Sequence, residues 1–231
     1  MSESIIRASG IHKTYKSRTV FVEALRGINL DVQHGEMVAI MGPSGSGKTT
    51  LLNCLSGLDS IDRGDLEIAG RSISEMSDDV LSEFRATKMG FVFQLYNLLP
   101  VLSAQENVEM PLLVGGASSA DARRIARERL SDVGLVDWAD HRPSELSGGQ
   151  QQRVTIARAL ANSPAIVWAD EPTGNLDSEN ATEVMDLLCK LNEEHRQTFV
   201  IVTHTRDVGN RAQRIVRMRD GLIEREFARN E

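Results

Sequence analysis

Cysteine is almost absent: the 231 residues contain two, Cys54 and Cys189, each inside an apolar helical pattern where a small buried hydrophobe is the plainer reading. That excludes a disulfide framework and leaves no cysteine-based metal site. The five histidines form no ligand cluster with them. Positive charge is short as well. Lys and Arg number 26 against 33 Asp and Glu, a net charge of -7, whereas a protein that grips a phosphate backbone carries a basic face or stripe. Nucleic acid is therefore not an expected partner. Long apolar runs are missing too: the longest, such as Met37–Met41 and Phe199–Val202, are strand-sized, well below the roughly 18 residues a membrane-crossing helix needs. Any membrane role is expected to be borrowed from a partner. The opening residues Met1 to Arg7 lack the basic start and apolar core of a secretory signal, so the expected location is cytoplasmic. No internal repeat, low-complexity linker or appended regulatory domain is visible.

What is present has the pattern of an α/β chain. Ile5–Ile11 and Phe21–Val32 alternate as half-buried strands do, with the polar stretch Lys16–Thr19 between them as a hairpin loop. Met37–Met41 is apolar at every position, the mark of a parallel strand buried on both faces. A glycine-rich loop follows, then a helix over Thr49–Ser56 stopped by Gly57. The middle third changes character. Ser119–Val133 sets Ala122, Ile125, Ala126, Arg129, Leu130 and Val133 on one helical stripe closed by Gly134, which reads as a helical insertion. A further helix after Ser147 carries Val154, Ala157, Leu160 and Ala161 at the same spacing. Buried-strand patterns return at Ala165–Ala169 and Thr198–Thr203, and Arg214–Met218 with Leu222–Glu226, split by Asp220-Gly221, predicts a closing hairpin.

Three short segments carry chemistry. Gly42-Pro43-Ser44-Gly45-Ser46-Gly47-Lys48-Thr49 fits G-x-x-x-x-G-K-[ST] and lies between a buried strand and a helix, where a phosphate cradle belongs. Glycines let backbone N–H groups turn inward around an anion and the helix start adds positive potential. Lys48 reaches the outer phosphates, and Thr49, with Thr50 beside it, offers a hydroxyl to magnesium. A Gly/Ser turn matching by chance is the plainer alternative, and the strand-loop-helix context argues against it. Ile166-Val167-Trp168-Ala169 runs into Asp170 and Glu171, delivering two carboxylates to the sheet edge where α/β proteins bind ligands. Asp170 is placed to hold magnesium through water and Glu171 to polarise an attacking water. Without the cradle upstream the pair would read as a solvated turn. Leu146-Ser147-Gly148-Gly149-Gln150 makes a second anion-ready helix start or, more plainly, a helix capped by Ser147.

These motifs, the LSGGQ run above all, resemble those of the ABC ATPase family, in family order from the first strand to about Ile223. The resemblance implies a P-loop NTPase (RecA-like) α/β core with an antiparallel β subdomain and an inserted α-helical signature subdomain. Residues 1–95 and 157–231 would form the core and β subdomain, and 96–156 the helical part, all within one ATP-binding domain. It also implies ATP and Mg2+ as cofactors and ATP hydrolysis as the activity. The working form would be a dimer, a homodimer in the simplest case. In it Ser147, Gly148, Gly149 and Gln150 of one subunit cap the γ-phosphate of ATP held by the P-loop of the other. By the same resemblance Tyr15 stacks on adenine, Gln94 meets magnesium and the attacking water, and His204 contacts the γ-phosphate. Asp177, in Asn175-Leu176-Asp177, belongs to the D-loop that crosses the dimer interface or caps the helix after it. Catalysis is thus expected of Glu171, His204, Gln94 and Lys48, and metal binding of Thr49, Gln94 and Asp170. Two positions depart from the family pattern. Thr205 follows His204 where an acidic residue is usual, and Trp168 stands where a small aliphatic is usual, as core packing.

Within the family, Glu23–Leu30, Phe93–Pro111 and Ser147–Arg153 resemble the LolD/MacB/FtsE-type branch, the ATPases of lipoprotein release and of macrolide and peptide export. That likeness implies integral membrane permease subunits as partners and a peripheral place on the inner face of the cell membrane. Leu95–Pro100 is then either the permease contact or a buried loop. The ATPase of a non-transporting signalling or cell-division ABC complex stays open as an alternative. A DNA-repair or ribosomal ABC protein would need a coiled-coil insertion, zinc cysteines, a basic face or a second ATPase, and a small GTPase an Asn-Lys-x-Asp motif; the sequence has none of these.

Overall fold

A computed structural model describes residues 4–16 and 21–228. The hairpin tip expected over Ser17 to Thr19 lies outside the described residues. In chain order the elements are β1 (Ser4–Lys16), β2 (Phe21–Gln33), β3 (Met37–Met41), α1 (Lys48–Leu55), β4 (Arg63–Ile68), β5 (Arg71–Ser72), α2 (Asp78–Lys88), β6 (Met89–Phe93), α3 (Ala104–Val114), α4 (Ser119–Asp132), α5 (Gly148–Leu160), β7 (Ile166–Asp170), α6 (Ser178–His195), β8 (Thr198–Thr203), α7 (Arg206–Gly209), β9 (Arg214–Arg219) and β10 (Leu222–Ala228). The chain divides into two units, Met1–Leu81 with Leu191–Glu231, and Ser82–Lys190.

In the first unit β1 pairs antiparallel with β2 and β4, and β5 extends the sheet in the order β2-β1-β4-β5. Its buried face follows the alternation through Ile6, Ala8, Leu25, Ile28, Leu30, Leu66 and Ile68. At Gly10, with φ 59, the register jumps from Ala8↔Leu30 to Ile11↔Ile28. The extra residue is a bulge that keeps Ile11 on the buried face. A second group of strands has β3 parallel to both β8 and β9, with β10 antiparallel to β9. Every residue of β8 is buried, as are Met37 to Ile40 of β3, each fully buried aliphatic contributing about 1.5–3 kcal/mol. Asp220 (φ 49) and Gly221 (φ 78) form the left-handed pair that a two-residue hairpin turn requires. Helix α1 buries Leu51, Leu52, Cys54 and Leu55 and ends at Ser56, with Gly57 left-handed beyond it.

In the second unit β6 and β7 run parallel, with Phe93 opposite Asp170. Trp168 is fully buried in β7, a packing residue as expected from its pattern. Helix α5 lies on β6 closely enough that a Cβ at Gly90 would fall 2.3 Å from the Ala159 carbonyl oxygen. Ala122, Ala126 and Leu130 of α4 pack with Ala104, Val108 and Leu112 of α3. Helix α3 opens with a reciprocal Ser103–Glu106 capping box and carries Pro111 inside it. Among the described residues no helix is long and apolar enough to cross a membrane.

Candidate functional site

The phosphate-loop half of the site lies in the first unit. Two of its glycines are there because neighbouring backbone leaves no room: a Cβ at Gly42 would lie 2.2 Å from the Met218 carbonyl oxygen, and one at Gly47 2.5 Å from that of Ala24. Gly47 also sits at φ 96, which only glycine adopts freely. The β9–β10 turn braces the loop, since the Gly221 N–H donates to the Ser46 carbonyl (3.1 Å) while the Arg26 N–H donates to the Gly221 carbonyl (2.9 Å). Helix α1 then begins without a side-chain cap and without an acid in its first turn, an arrangement that leaves positive potential at its start. Lys48 is 8% exposed, and its Nζ donates to the carbonyls of Gly42 and Pro43, both at 2.9 Å. Ser46 Oγ is buried with no hydrogen-bond partner. A buried hydroxyl without a partner inside a glycine cradle is what a bound polar ligand would satisfy.

Tyr15 is the last residue but one of β1 and is 43% exposed. Its hydroxyl donates to Asp59 Oδ2 at 2.7 Å, and Lys13 Nζ donates to Asp59 Oδ1 at 2.7 Å from a position 5.4 Å from the Tyr15 ring centroid. Burial alone would raise the Asp59 carboxyl, but the hydrogen bonds from Lys13 and Tyr15 outweigh it and hold the group below the usual carboxylate range. Burial raises the Tyr15 phenol, with Asp59 adding to the effect, so the ring stays a neutral donor. Burial also pushes the Cys54 thiol up to about 12, an unreactive group, in keeping with the reading of a buried hydrophobe. His204, exposed at the end of β8, lines a cavity of 510 Å³ with Gly42, Pro43, Arg206 and Met218.

The signature half lies in the second unit. The parallel register of β6 and β7 makes Gln94 and Glu171 leave adjacent strand ends. Gln94 Nε2 donates to Asn175 Oδ1 at 3.1 Å, and Asn175 Nδ2 donates back to the Gln94 carbonyl at 2.9 Å. Glu171 follows Asp170 at φ 47, a strained position for a residue with a Cβ, of the kind that clusters at functional sites. Just beyond it, Gln152 Nε2 of α5 donates to the Pro172 carbonyl at 2.6 Å. At the start of α5 the Gln150 N–H donates to Ser147 Oγ (3.2 Å) and the Ser147 N–H to Gln150 Oε1 (2.8 Å). The plain reading of Ser147 as a cap is thus seen directly. A Cβ at Gly148 would meet Tyr96 Oη at 2.9 Å and one at Gly149 would meet Asn180 Oδ1 at 2.1 Å. Asp177 caps α6, accepting from the Asn180 N–H at 2.9 Å and from its Nδ2 at 2.7 Å. Those hydrogen bonds hold its carboxyl below the usual range.

Tyr15, Gly42 to Thr50 and His204 therefore stand in one unit, and Gln94, Ser147 to Gln150, Asp170, Glu171 and Asp177 in the other. Leu95 (74% exposed) and Leu99 (45%) lie open to solvent, beside Val101 (74%), so this run is not a buried loop at those positions. Sequence reasoning did not reach Asp59, Gln152 or Arg158. Arg158 left a signal, a cation between Val154 and Ala161 on an otherwise apolar helical stripe; Asp59 and Gln152 left none.

Against known proteins, the ABC transporter family profile matches residues 25–174. An uncharacterised ABC transporter ATP-binding protein of Methanocaldococcus jannaschii, MJ0796, is 47% identical over 226 residues, covering 96% of each chain. The macrolide export ATP-binding/permease protein MacB of Brucella melitensis is 48% identical over 219 residues, which are 95% of this chain but 34% of MacB. Among solved structures, dimeric MJ0796 in a post-hydrolysis state bound to ADP and Pi superposes with a TM-score of 0.88 at 45% identity, covering 96% of this chain and 98% of that one. The fold is that of the P-loop ABC cassettes, and the relatives match the LolD/MacB/FtsE-type branch. The chain belongs to the ABC transporter family, as an ATP-binding, ATP-hydrolysing subunit.

Proposed function

We propose that the chain works as a homodimer that closes on two ATP molecules and drives separate integral membrane permease subunits in export, lipoprotein release or mechanotransmission. It would sit peripherally on the cytoplasmic face through that permease. The observation that carries the reading is that one chain bears two helix starts suited to phosphate, α1 beside Lys48 and α5 behind Ser147-Gly148-Gly149. A second copy puts the second start to use, and the dimeric form of MJ0796 supports this. MacB is by name both ATP-binding and permease protein, and the chain matches 34% of it, which supports a permease on another polypeptide or segment. The exposed Leu95, Leu99 and Val101, directly after Gln94, support that stretch as the contact.

In this reading residues 1–95 and 157–231 form the core and β subdomain of one ATP-binding domain, with 96–156 as its helical part. Tyr15 stacks on adenine. Gly42 to Thr50 wrap the phosphates, and Lys48 exchanges its two loop carbonyls for phosphate oxygens. Ser147, Gly148, Gly149 and Gln150, with Asp177 on the D-loop, close over the partner's nucleotide. Glu171 orients and polarises the attacking water, with Gln94 and His204 beside the γ-phosphate. Magnesium would be held by the Thr49 hydroxyl, the Asp170 carboxylate and the Gln94 amide, oxygen ligands of the kind that ion takes, and would neutralise phosphate charge. Glu171→Gln is expected to retain ATP binding while lowering turnover by about 100-fold or more, trapping a dimer visible by gel filtration with Mg-ATP. Unchanged turnover removes Glu171 from its role, and a strictly monomeric variant at saturating Mg-ATP overturns the sandwich.

A further inference from the structure

Arg158 sits in the last turn of α5, half-buried, where burial pulls its guanidinium below the ordinary arginine value. Its hydrogen bonds go to two backbone carbonyls, from Nη1 to Asn97 (2.6 Å) and from Nη2 to Tyr96 (2.9 Å), and it forms no ion pair among the described residues. Keeping a cation there costs desolvation that an aliphatic side chain would not, so those two bonds should have a use. The residues that receive them are unusual as well. Tyr96 (φ 58) and Asn97 (φ 51) are successive left-handed residues with side chains, a conformation that persists only where surroundings impose it. The planar fork of an arginine, spanning two consecutive carbonyls, is such an imposition.

The same tyrosine reaches the other end of the helix. Its hydroxyl lies where a Cβ on Gly148 would come within 2.9 Å. Gly148 and Arg158 are ten residues apart, about 15 Å along a helix rising 1.5 Å per residue. One residue of the turn after Gln94 therefore touches α5 at its signature start through its side chain and near its finish through its carbonyl. We infer that Arg158 is a positioning residue, which with Tyr96 locks the turn after Gln94 to the signature helix so that the two move as one piece. Load applied at Leu95 and Leu99 would then reach the Ser147–Gly149 segment through Tyr96, Arg158 and the helix between them. The inference rests on the sandwiched-dimer reading of α5.

The test uses the full chain carrying Glu171→Gln, with and without Arg158→Lys. Lysine keeps the charge and cannot span both carbonyls. Arg158→Lys is expected to shift ATP-driven dimerisation to about tenfold higher protein concentration, and to lower kcat by about tenfold in the Glu171 background. ATP affinity of the monomer, read with a fluorescent analogue, should stay within about twofold of the parent because Lys48 and its loop are untouched. Tyr96→Phe should move dimerisation in the same direction by a smaller factor, and it carries the test if Arg158→Lys proves poorly folded by circular dichroism. Dimerisation and kcat equal to the parent in both variants overturn the inference, as does a parallel loss of monomer ATP affinity, which would mark a purely structural role. A Glu171→Gln parent that never dimerises sinks the sandwich reading instead.

Discussion

At α1 the cap is Gly47, left-handed at φ 96, with no side chain closing the helix start, whereas at α5 Ser147 and Gln150 cap each other's backbone N–H groups. The first start is held ready for an outside acceptor. The second already has internal ones, so a phosphate arriving there displaces the Gln150 N–H from Ser147 Oγ and gains correspondingly less. The glycines differ in the same sense. Those at 42 and 47 press on the Met218 and Ala24 carbonyls, backbone that cannot yield, while those at 148 and 149 press on the ends of the Tyr96 and Asn180 side chains, which can swing. Rigid preparation suits a grip that must form first. An adjustable start suits a contact made only when a second subunit closes.

The contrast breaks most sharply at Lys48. Lys48→Gln removes the only charged group in the loop, and charge-assisted bonds to phosphate are roughly twice as strong as neutral ones, so ATP affinity of the isolated chain should fall by about 100-fold or more. Isothermal titration with Mg-ATP reads this directly. Affinity within a few-fold of the parent would mean that backbone N–H groups alone hold the nucleotide, and the two helix starts would then be more alike than their caps suggest.

A smaller effect is expected at Gly149→Ala. The new methyl would drive Asn180 off Asp177 and loosen the α6 cap, with a small loss of stability in urea unfolding. Monomer ATP affinity should be unchanged while turnover falls by about tenfold, since the contact is one made only in the closed state. A fall in monomer affinity as large as that of Lys48→Gln would erase the distinction between a first grip and a later closure.

The legibility of the two halves follows the same line. The phosphate loop could be read because its chemistry is contiguous: glycines, lysine and threonine act through the backbone of one turn, so their order alone carries the geometry. The strands β3, β7 and β8 were legible because burial on both faces leaves an unbroken apolar run. The ties that organise the signature half were not, because they join residues far apart in sequence. Gln94 meets Asn175, Gln152 meets the Pro172 carbonyl, and Arg158 meets the carbonyls of a left-handed turn. A carbonyl acceptor has no letter in the sequence, and only Arg158, a cation on an apolar stripe, betrayed itself. Helix α3 escaped because Pro111 interrupts its periodicity; the Ser103-Ala-Gln-Glu106 capping box was the signal that could have found it. Strand β4 alternates over too few residues to stand out.

The smallest predicted effect lies beside the phosphate loop, at Tyr15, whose hydroxyl is held by the Asp59 carboxylate. Asp59 accepts from both Lys13 and Tyr15, so Asp59→Asn should weaken ATP binding by a few-fold, by freeing the ring rather than removing it. It should also cost about 1 kcal/mol of stability at neutral pH, the scale of a half-buried ion pair. The pH dependence has a definite sign. The folded-state pKa of Asp59 is lowered from 3.8, so its contribution is present above that value and lost as pH falls through the lower folded one. Burial lowers the Lys13 pKa, but the hydrogen bond and charge of Asp59 outweigh this and raise it above 10.5, so its contribution is present below 10.5 and lost as pH rises through the folded value. Between those limits the urea-unfolding gap between parent and Asp59→Asn should be flat. Below 3.8 it should narrow, as the parent's own carboxyl becomes protonated. A gap that stays constant well into acid would mean that the charge of Asp59 does not hold Lys13 and Tyr15, and that the stacking ring is set by the strand alone.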